Sequence, residues 1–465
     1  MRRSGAGRFP SAVARTGPVP LRQGAHQRLR FRSLIEEFMP RIATSAAVVA
    51  LLTTPVIAQQ QSLAPQFLTE SFSFPAASAN TPDALGLFEE GSSLDFYGFV
   101  RLDAMFDDSR TNDPSIPFIV LSEDASPPAG APLTRFAKAD ESEFTLSPRL
   151  TRVGMTFASD DLINGIGDPK LTGKVETDFY NIGLGDSDSR QALRMRLGYV
   201  NLDWGSWSVR AGQDWDVISP LYPVVNNDLV MWGAGNTGDR RPQITARNVS
   251  EMGDGALHTA IGIALTGAVG GTGVQGGLRS GENSGRPMFH ARVGYHGVTD
   301  SGGKYQLGVW AHDAQEKFDA TGVGSEQTYD SSSFGVDLVA PLYEDVLWLK
   351  GEFFSGTNTR DIRGGILQGV NSTTGQEIDS TGGWVELGCK ASPNTTLFFG
   401  YAFDDPEDAD LANYSWAKNT IPYAAAHWRS GDFMAALEVL MWETEYIGLD
   451  NGDALRVVGW VAYYF

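Results

Sequence analysis

Cysteine is nearly absent from this chain, with one residue, Cys389, in 465. A lone thiol excludes a disulfide framework and any metal centre built from cysteines. Histidine is scarce as well, six in all, and none stands at a metal-ligand spacing such as H-E-x-x-H. No metal centre and no cofactor are expected. Positive charge is short, 36 Lys and Arg against 56 Asp and Glu, a net charge of −20. That balance argues against nucleic acid binding, which needs basic patches to displace counterions. Acidic loops could bind Ca²⁺ or Mg²⁺ loosely. Long hydrophobic runs are missing with one exception, and no other stretch approaches the roughly 20 residues of a spanning helix. Any membrane role therefore falls to strands.

The exception is "PRIATSAAVVALLTTPVIAQQQ", in which Arg41 precedes an apolar stretch from Ile42 to Ala58. Its length, its Thr and Ser content and the Val56-Ile57-Ala58 ending match a secretory signal, so residues 1–58 are expected to be a signal region. The Arg-rich 38 residues before it are either a long leading region or sequence upstream of a chain that starts at Met39. Without residues 1–58 the chain has 27 bases against 54 acids, a net charge of −27. Residues 59–94 are polar and rich in Pro, Ala and Ser, and read as a flexible periplasmic lead-in.

What is abundant is glycine, 53 residues, and alternation. From Asp95 to Phe465, segments of roughly ten residues alternate in polarity between clusters of Gly, Asp, Asn, Ser and Pro. Sixteen are counted, from 96–106 and 147–158 through to 432–446 and 454–465. Each could cross a bilayer as a tilted strand of about 9–11 residues. The connections tend to alternate between long (107–146, 216–241, 267–286, 313–332, 356–381) and short ("WGSW", "SPN", "RSGD"). That segregation predicts an all-β, up-and-down antiparallel transmembrane barrel over 95–465, with long outer loops and short periplasmic turns. A soluble barrel would put its apolar face inward. An export signal ahead of one apolar face per segment instead places that face in lipid. Sixteen strands enclose more space than side chains fill, so an aqueous channel of porin type is expected.

Alternation assigns charges to the lumen. The basic set is Arg101, Arg152, Lys174, Arg194, Arg196 and Arg210, and the acidic set is Asp103, Glu176, Asp178, Asp214 and Asp216. Opposed charges across a water-filled lumen sort ions by sign, although they could also simply pair with one another. The stretch 216–241 is too long for a turn and unusually apolar, with Leu221, Tyr222, Val224, Val225, Met231 and Trp232. It is expected to fold into the barrel, bringing Arg240 and Arg241 towards the lumen opposite Asp228 and Asp239. Trp310, Trp348, Trp442 and Trp460 fall on the polar face, either as a ladder for solutes or, the favoured reading, as packing for the infolded loop. Trp428, Tyr295, Tyr305 and Tyr463 suit an interfacial girdle. "GTGVQG" matches a dinucleotide fingerprint, but a glycine-rich loop rather than a helix follows it. No nucleophile elbow is present, so an enzyme is not expected. The alternative to a channel is a plugged structural or adhesive barrel with acidic loops bridged by divalent cations.

"FYGFVRLDAMFD", "VETDFYN", "LRMRLGYVNLDWGSWSVRAGQDWDVISP" and the C-terminal aromatic together resemble the DcaP-like trimeric outer-membrane porins. The likeness spans roughly 95–465 and is densest in 95–250, although other sixteen-stranded porins share strands like "AGQDW". The resemblance implies a homotrimer in the outer membrane of a diderm bacterium, passing small and often anionic organic solutes such as dicarboxylates. It implies that Arg101, Arg152, Arg194, Arg196 and Arg210 line the eyelet. It also implies that Val461, Tyr463 and Phe465 form the signal read by the barrel-insertion machinery. One departure is that better-known members carry an N-terminal coiled coil, whereas 59–94 has no heptads.

Overall fold

The computed structural model describes residues 92–124, 139–159, 166–180, 191–225, 230–267, 280–318, 327–371 and 373–465. The expected signal region and residues 59–91 of the lead-in lie outside the described residues. The strands are β1 (Ser92–Asp107), β2 (Glu143–Ser147), β3 (Arg152–Ser159), β4 (Lys170–Asp178), β5 (Arg194–Asp203) and β6 (Trp207–Trp215). They continue as β7 (Arg240–Met252), β8 (Gly255–Ala264), β9 (Met288–Val298), β10 (Lys304–Phe318), β11 (Gln327–Tyr343) and β12 (Leu347–Thr357). The last five are β13 (Asp379–Ser392), β14 (Thr395–Pro406), β15 (Trp416–Ser430), β16 (Phe433–Tyr446) and β17 (Gly452–Tyr464).

Each strand from β3 to β16 pairs antiparallel with the next, and β17 pairs with β1 to close the barrel. The seam runs from Phe99↔Tyr464 to Asp107↔Arg456. Gly98 and Phe465 extend it by exchanging backbone hydrogen bonds of 3.0 and 3.1 Å.

The barrel has sixteen strand positions, as expected, and the described residues form seventeen strands because the second position on the wall is broken in two. β2 pairs with the upper half of β1 and β3 with the lower half. Pro148, which has no N–H to give, stands at the break. Thr151 bridges the gap, its Oγ1 accepting from Arg101 N (3.1 Å) and donating to Arg101 O (3.2 Å). Four of the five residues of β2 fall in the stretch 107–146 expected to be loop.

Which face points inward is now settled. Val100 and Leu102 are 60% and 46% exposed on the outer surface, while Arg101 and Asp103 between them are 7% and 1% exposed. The outer surface is the apolar one, as a lipid-facing barrel requires. Glycine serves the inner wall by leaving room for large side chains that lie flat on it. The Tyr97 ring covers Gly154, Trp348 covers Gly388 and Tyr423 covers Gly400, places where a Cβ would collide with the ring.

Candidate constriction and pore lining

Among the described residues, parts of three long loops enter the barrel, where the sequence pointed to one: loop 1 (108–142), loop 3 (216–239) and loop 6 (358–378). A backbone taken inside must find partners for its N–H and C=O groups, and the wall of β12–β17 supplies them from side chains. Glu352 accepts from Leu221 N (2.8 Å) and from the Ser219 hydroxyl. Glu386 accepts from Val224 N (2.9 Å), and Lys350 donates to Tyr222 O (2.8 Å). Asn419 Nδ2 donates to Phe118 O and Gly233 O, each at 2.7 Å, and so ties loop 1 to loop 3. Val120 N donates to Thr444 Oγ1, while Tyr446 donates to Val120 O. Asp404 accepts from Gly365 N and Ile366 N of loop 6, each at 3.1 Å.

Apolar packing completes the attachment. Val120, Val224, Val225 and Met231 sit in one cluster with Trp348, Trp384, Phe398, Ile421 and Trp442. Trp310 packs with Ile218 and Ile362. Three of the four expected lumenal tryptophans therefore pack under infolded loops. Trp460 differs, packing with Phe99, Met105 and Tyr464 beneath Arg101, whose Cζ lies 3.9 Å from its ring centre.

The opposite wall, β1 and β3–β7, carries the charges. Arg196 bridges Glu176 (2.9 Å) and Asp178 (2.7 Å), Arg194 grips Asp178 with two bonds of 2.9 and 2.7 Å, and Arg152 lies 3.5 Å from Glu176. Tyr97 donates to Glu176 (2.8 Å), and Lys174 Nζ lies 4.9 Å above its ring. Arg194 and Arg149 both face the Tyr180 ring, at 5.4 and 5.9 Å. Arg240 extends the cluster, its Cζ 4.7 Å from the Trp215 ring and 5.8 Å from Trp232. Its Nε and Nη1 are buried without a hydrogen-bond partner among the described residues. Aromatic faces offset part of the cost of desolvating such a cation. Arg363 of loop 6 covers Trp232 at 4.6 Å and pairs with Asp239 at 2.8 Å. Burial alone would raise the Asp239 carboxyl, but Arg363 and Arg240 beside it hold it below the usual range. Burial also pushes the Tyr222 phenol well above its ordinary value, with Glu352 adding to the rise, which keeps it neutral.

The structure thus brings Arg152, Lys174, Arg194, Arg196 and Arg240 together around Glu176 and Asp178. Other expected lining residues stand apart. Arg101 and Asp103 form their own pair at 2.5 Å. Arg210 pairs with Asp214 (2.7 Å) over Tyr199, and Arg247 reaches the same carboxylate at 3.3 Å. Arg241 and Asp216 correct the expectation outright. They meet at 2.9 Å with side chains fully buried, because the lumen at their level is filled by loops 3 and 6. Asp228 lies outside the described residues.

Arg247, Arg292, Arg149 and Arg363 were not picked out from the sequence. Alternation along β7 and β9 would have found the first two, since Arg247 is in phase with Gln243 and Thr245. Arg292 runs across Gly294 and Gly308, where a Cβ would meet its guanidinium, to a two-bond grip on Asp337 at 2.9 and 2.7 Å.

No family model and no curated protein sequence matches the chain. Among solved structures it is similar to the outer membrane channel DcaP of Acinetobacter baumannii. The TM-score is 0.59 and the identity 17%, over 81% of this chain and 98% of that one. It is also similar to an anion-selective porin from Comamonas acidovorans, with TM-score 0.51 and 13% identity over 80% of this chain and all of the other. The fold is that of the outer-membrane porins of Gram-negative bacteria. At these identities the likeness speaks for the barrel, and solute choice has to be argued from the chain's own side chains.

Proposed function

We propose that the protein is a passive diffusion channel for small hydrophilic solutes that favours anions, organic carboxylates of dicarboxylate type among them. The observation that carries this reading is the imbalance at the constriction. Arg152, Arg194, Arg196, Arg240, Arg363 and Lys174 gather around three carboxylates, Glu176, Asp178 and Asp239, and the Arg194 side chain keeps 25% exposure. The acidic excess of the whole chain opposes this only weakly, because charges on outer loops are screened within about 8 Å at physiological salt. Charges lining a narrow, partly desolvated passage act at shorter range and in a lower dielectric. The name of one structural relative, an anion-selective porin, is in keeping with this reading.

Planar bilayer recordings in a salt gradient test it. The expected result is a reversal potential of the sign set by anion flux, shifting towards cation preference in an Arg194→Ala/Arg196→Ala double variant. Cation preference in the wild type would overturn anion selection. Folded protein that never conducts would overturn the channel and favour a plugged adhesive barrel. Assembly as a homotrimer is part of the proposal, supported by the small outward side chains Ala424 and Ala426 on β15. A monomeric mass after mild detergent extraction would count against it.

A further inference from the structure

Among the described residues of loops 3 and 6, seven non-glycine residues hold left-handed backbone: Ser219, Val230, Met231, Asn358, Arg363, Ile366 and Leu367, with φ between 47° and 74°. Val230 and Ile366 are β-branched, for which this region is most costly, and such conformations persist only where their surroundings over-determine them. What holds loop 3 is partly loop 6. Gly233 N donates to Arg363 O (3.0 Å) and Gly238 N to Ile362 O (2.8 Å). Beneath both loops lies Arg241, 0% exposed. Its Nε bonds Asp216 at the root of loop 3, and its Nη1 bonds Leu265 O at the root of the next long loop. Nη1 also reaches Asp361 Oδ2 (3.0 Å) and Nη2 reaches Asp361 O (2.6 Å), both on loop 6. The other oxygen of Asp361 accepts from Gly267 N. One guanidinium therefore clamps three loops, and none of these groups is needed to line the passage.

We propose that loop 6 is a strap that holds loop 3 in its conducting position through the Arg241–Asp361 clamp. Releasing the strap lets the strained segments of loop 3 relax, and the channel then switches between conductance levels. The barrel wall is expected to stand without the clamp, because its strands are paired with their neighbours around the cylinder.

The inference rests on the chain being a channel, and single-channel recording separates the two failures. Asp361→Asn keeps the shape of the side chain while removing its charge, and Arg241→Lys keeps the charge while losing the fork. Both are expected to run as the heat-resistant folded form on gels, with wild-type ion preference and the same main open level. Transitions to lower levels should be at least about tenfold more frequent. Combining the two should add little, since both break one clamp. A wild type that does not conduct would overturn the function proposed above. Variants that conduct as steadily as the wild type would overturn the strap. An Asp361→Asn protein that loses its heat-resistant form would overturn it too, by showing that the clamp supports the barrel.

Discussion

The two sides of the barrel are built on opposite principles. The wall of β12–β17 carries acids and amides whose partners are backbone groups of incoming loops, and its aromatic rings lie under those loops. The wall of β1 and β3–β7 carries arginines and acids that pair with one another; the acids are buried, while several of the arginines stay partly exposed. Side chains of Arg194, Arg210 and Arg247 keep 20–30% exposure, whereas Glu386 on the other wall keeps none. One side uses its polar groups to position loops, and the other pairs them with one another across its own strands. A carboxylate therefore says little about function until its partner is known: Glu386 holds a loop, while Glu176 spaces a row of arginines.

Removing the loop-bearing acids should break this contrast most severely. A Glu352→Ala/Glu386→Ala variant leaves buried N–H groups of Leu221 and Val224 without acceptors, at about 1–3 kcal/mol each, and strips Lys350 of its carboxylate. The unfolding midpoint should fall and the open conductance should rise as loop 3 leaves the wall. Equal conductance would show that the acids do not position the loop. On the other wall, Glu176→Gln should sharpen selection, raising anion preference in a salt gradient, because it deletes a negative charge among Arg152, Arg196 and Lys174. No change in reversal potential would place the selective step elsewhere.

A pH effect of smaller size should come from Asp216, at the root of loop 3. Burial pushes its carboxyl up from 3.8 to about 7 against the pull of Arg241, with Asp239 and Asp361 adding to the rise. His290 Nδ1 faces it at 4.0 Å. An acid with a raised folded value binds its proton more tightly when folded. Its contribution to stability is therefore complete below about 3.8 and is lost as pH rises through about 7. Thermal scans should show that decline, and Asp216→Asn should flatten it; an unchanged profile in the variant would remove Asp216 as its source. The smallest effect is expected from Arg210→Ala, whose pair with Asp214 is partly exposed and contributes roughly 0–1 kcal/mol. A loss well beyond that in thermal unfolding would mean that Arg210 supports the wall.

Much of the barrel was legible because a strand writes its two faces at every second residue. Arg101 and Asp103 against Val100 and Leu102 carry that message without help from the rest of the chain. β2 was missed because its five residues are cut from β3 by Pro148, leaving too short a run to stand out. Loop 3 announced itself through apolar residues that water would not favour. Loops 1 and 6 did not, because their attachments come from side chains distant in sequence: Asn419 holds Phe118, and Asp404 holds Gly365. Nothing local in either loop records such partners. Arg240 and Arg241 show the same limit at close quarters. Neighbours in sequence, one meets two tryptophan rings and the other is sealed beneath two loops.

The seam has a consequence for how the molecule is made. β1 finds its partner in β17, more than three hundred residues later, so no cylinder can form from the growing chain. Until the end of β17 arrives, β1 is an open edge, able to pair with any other extended segment it meets. Contacts so remote in sequence also form slowly, since the whole intervening chain must be gathered first. The interval between export and sealing is therefore when this protein is most exposed to aggregation. Through that interval the Phe99–Asp107 edge of β1 lacks its β17 partner, and no pore exists.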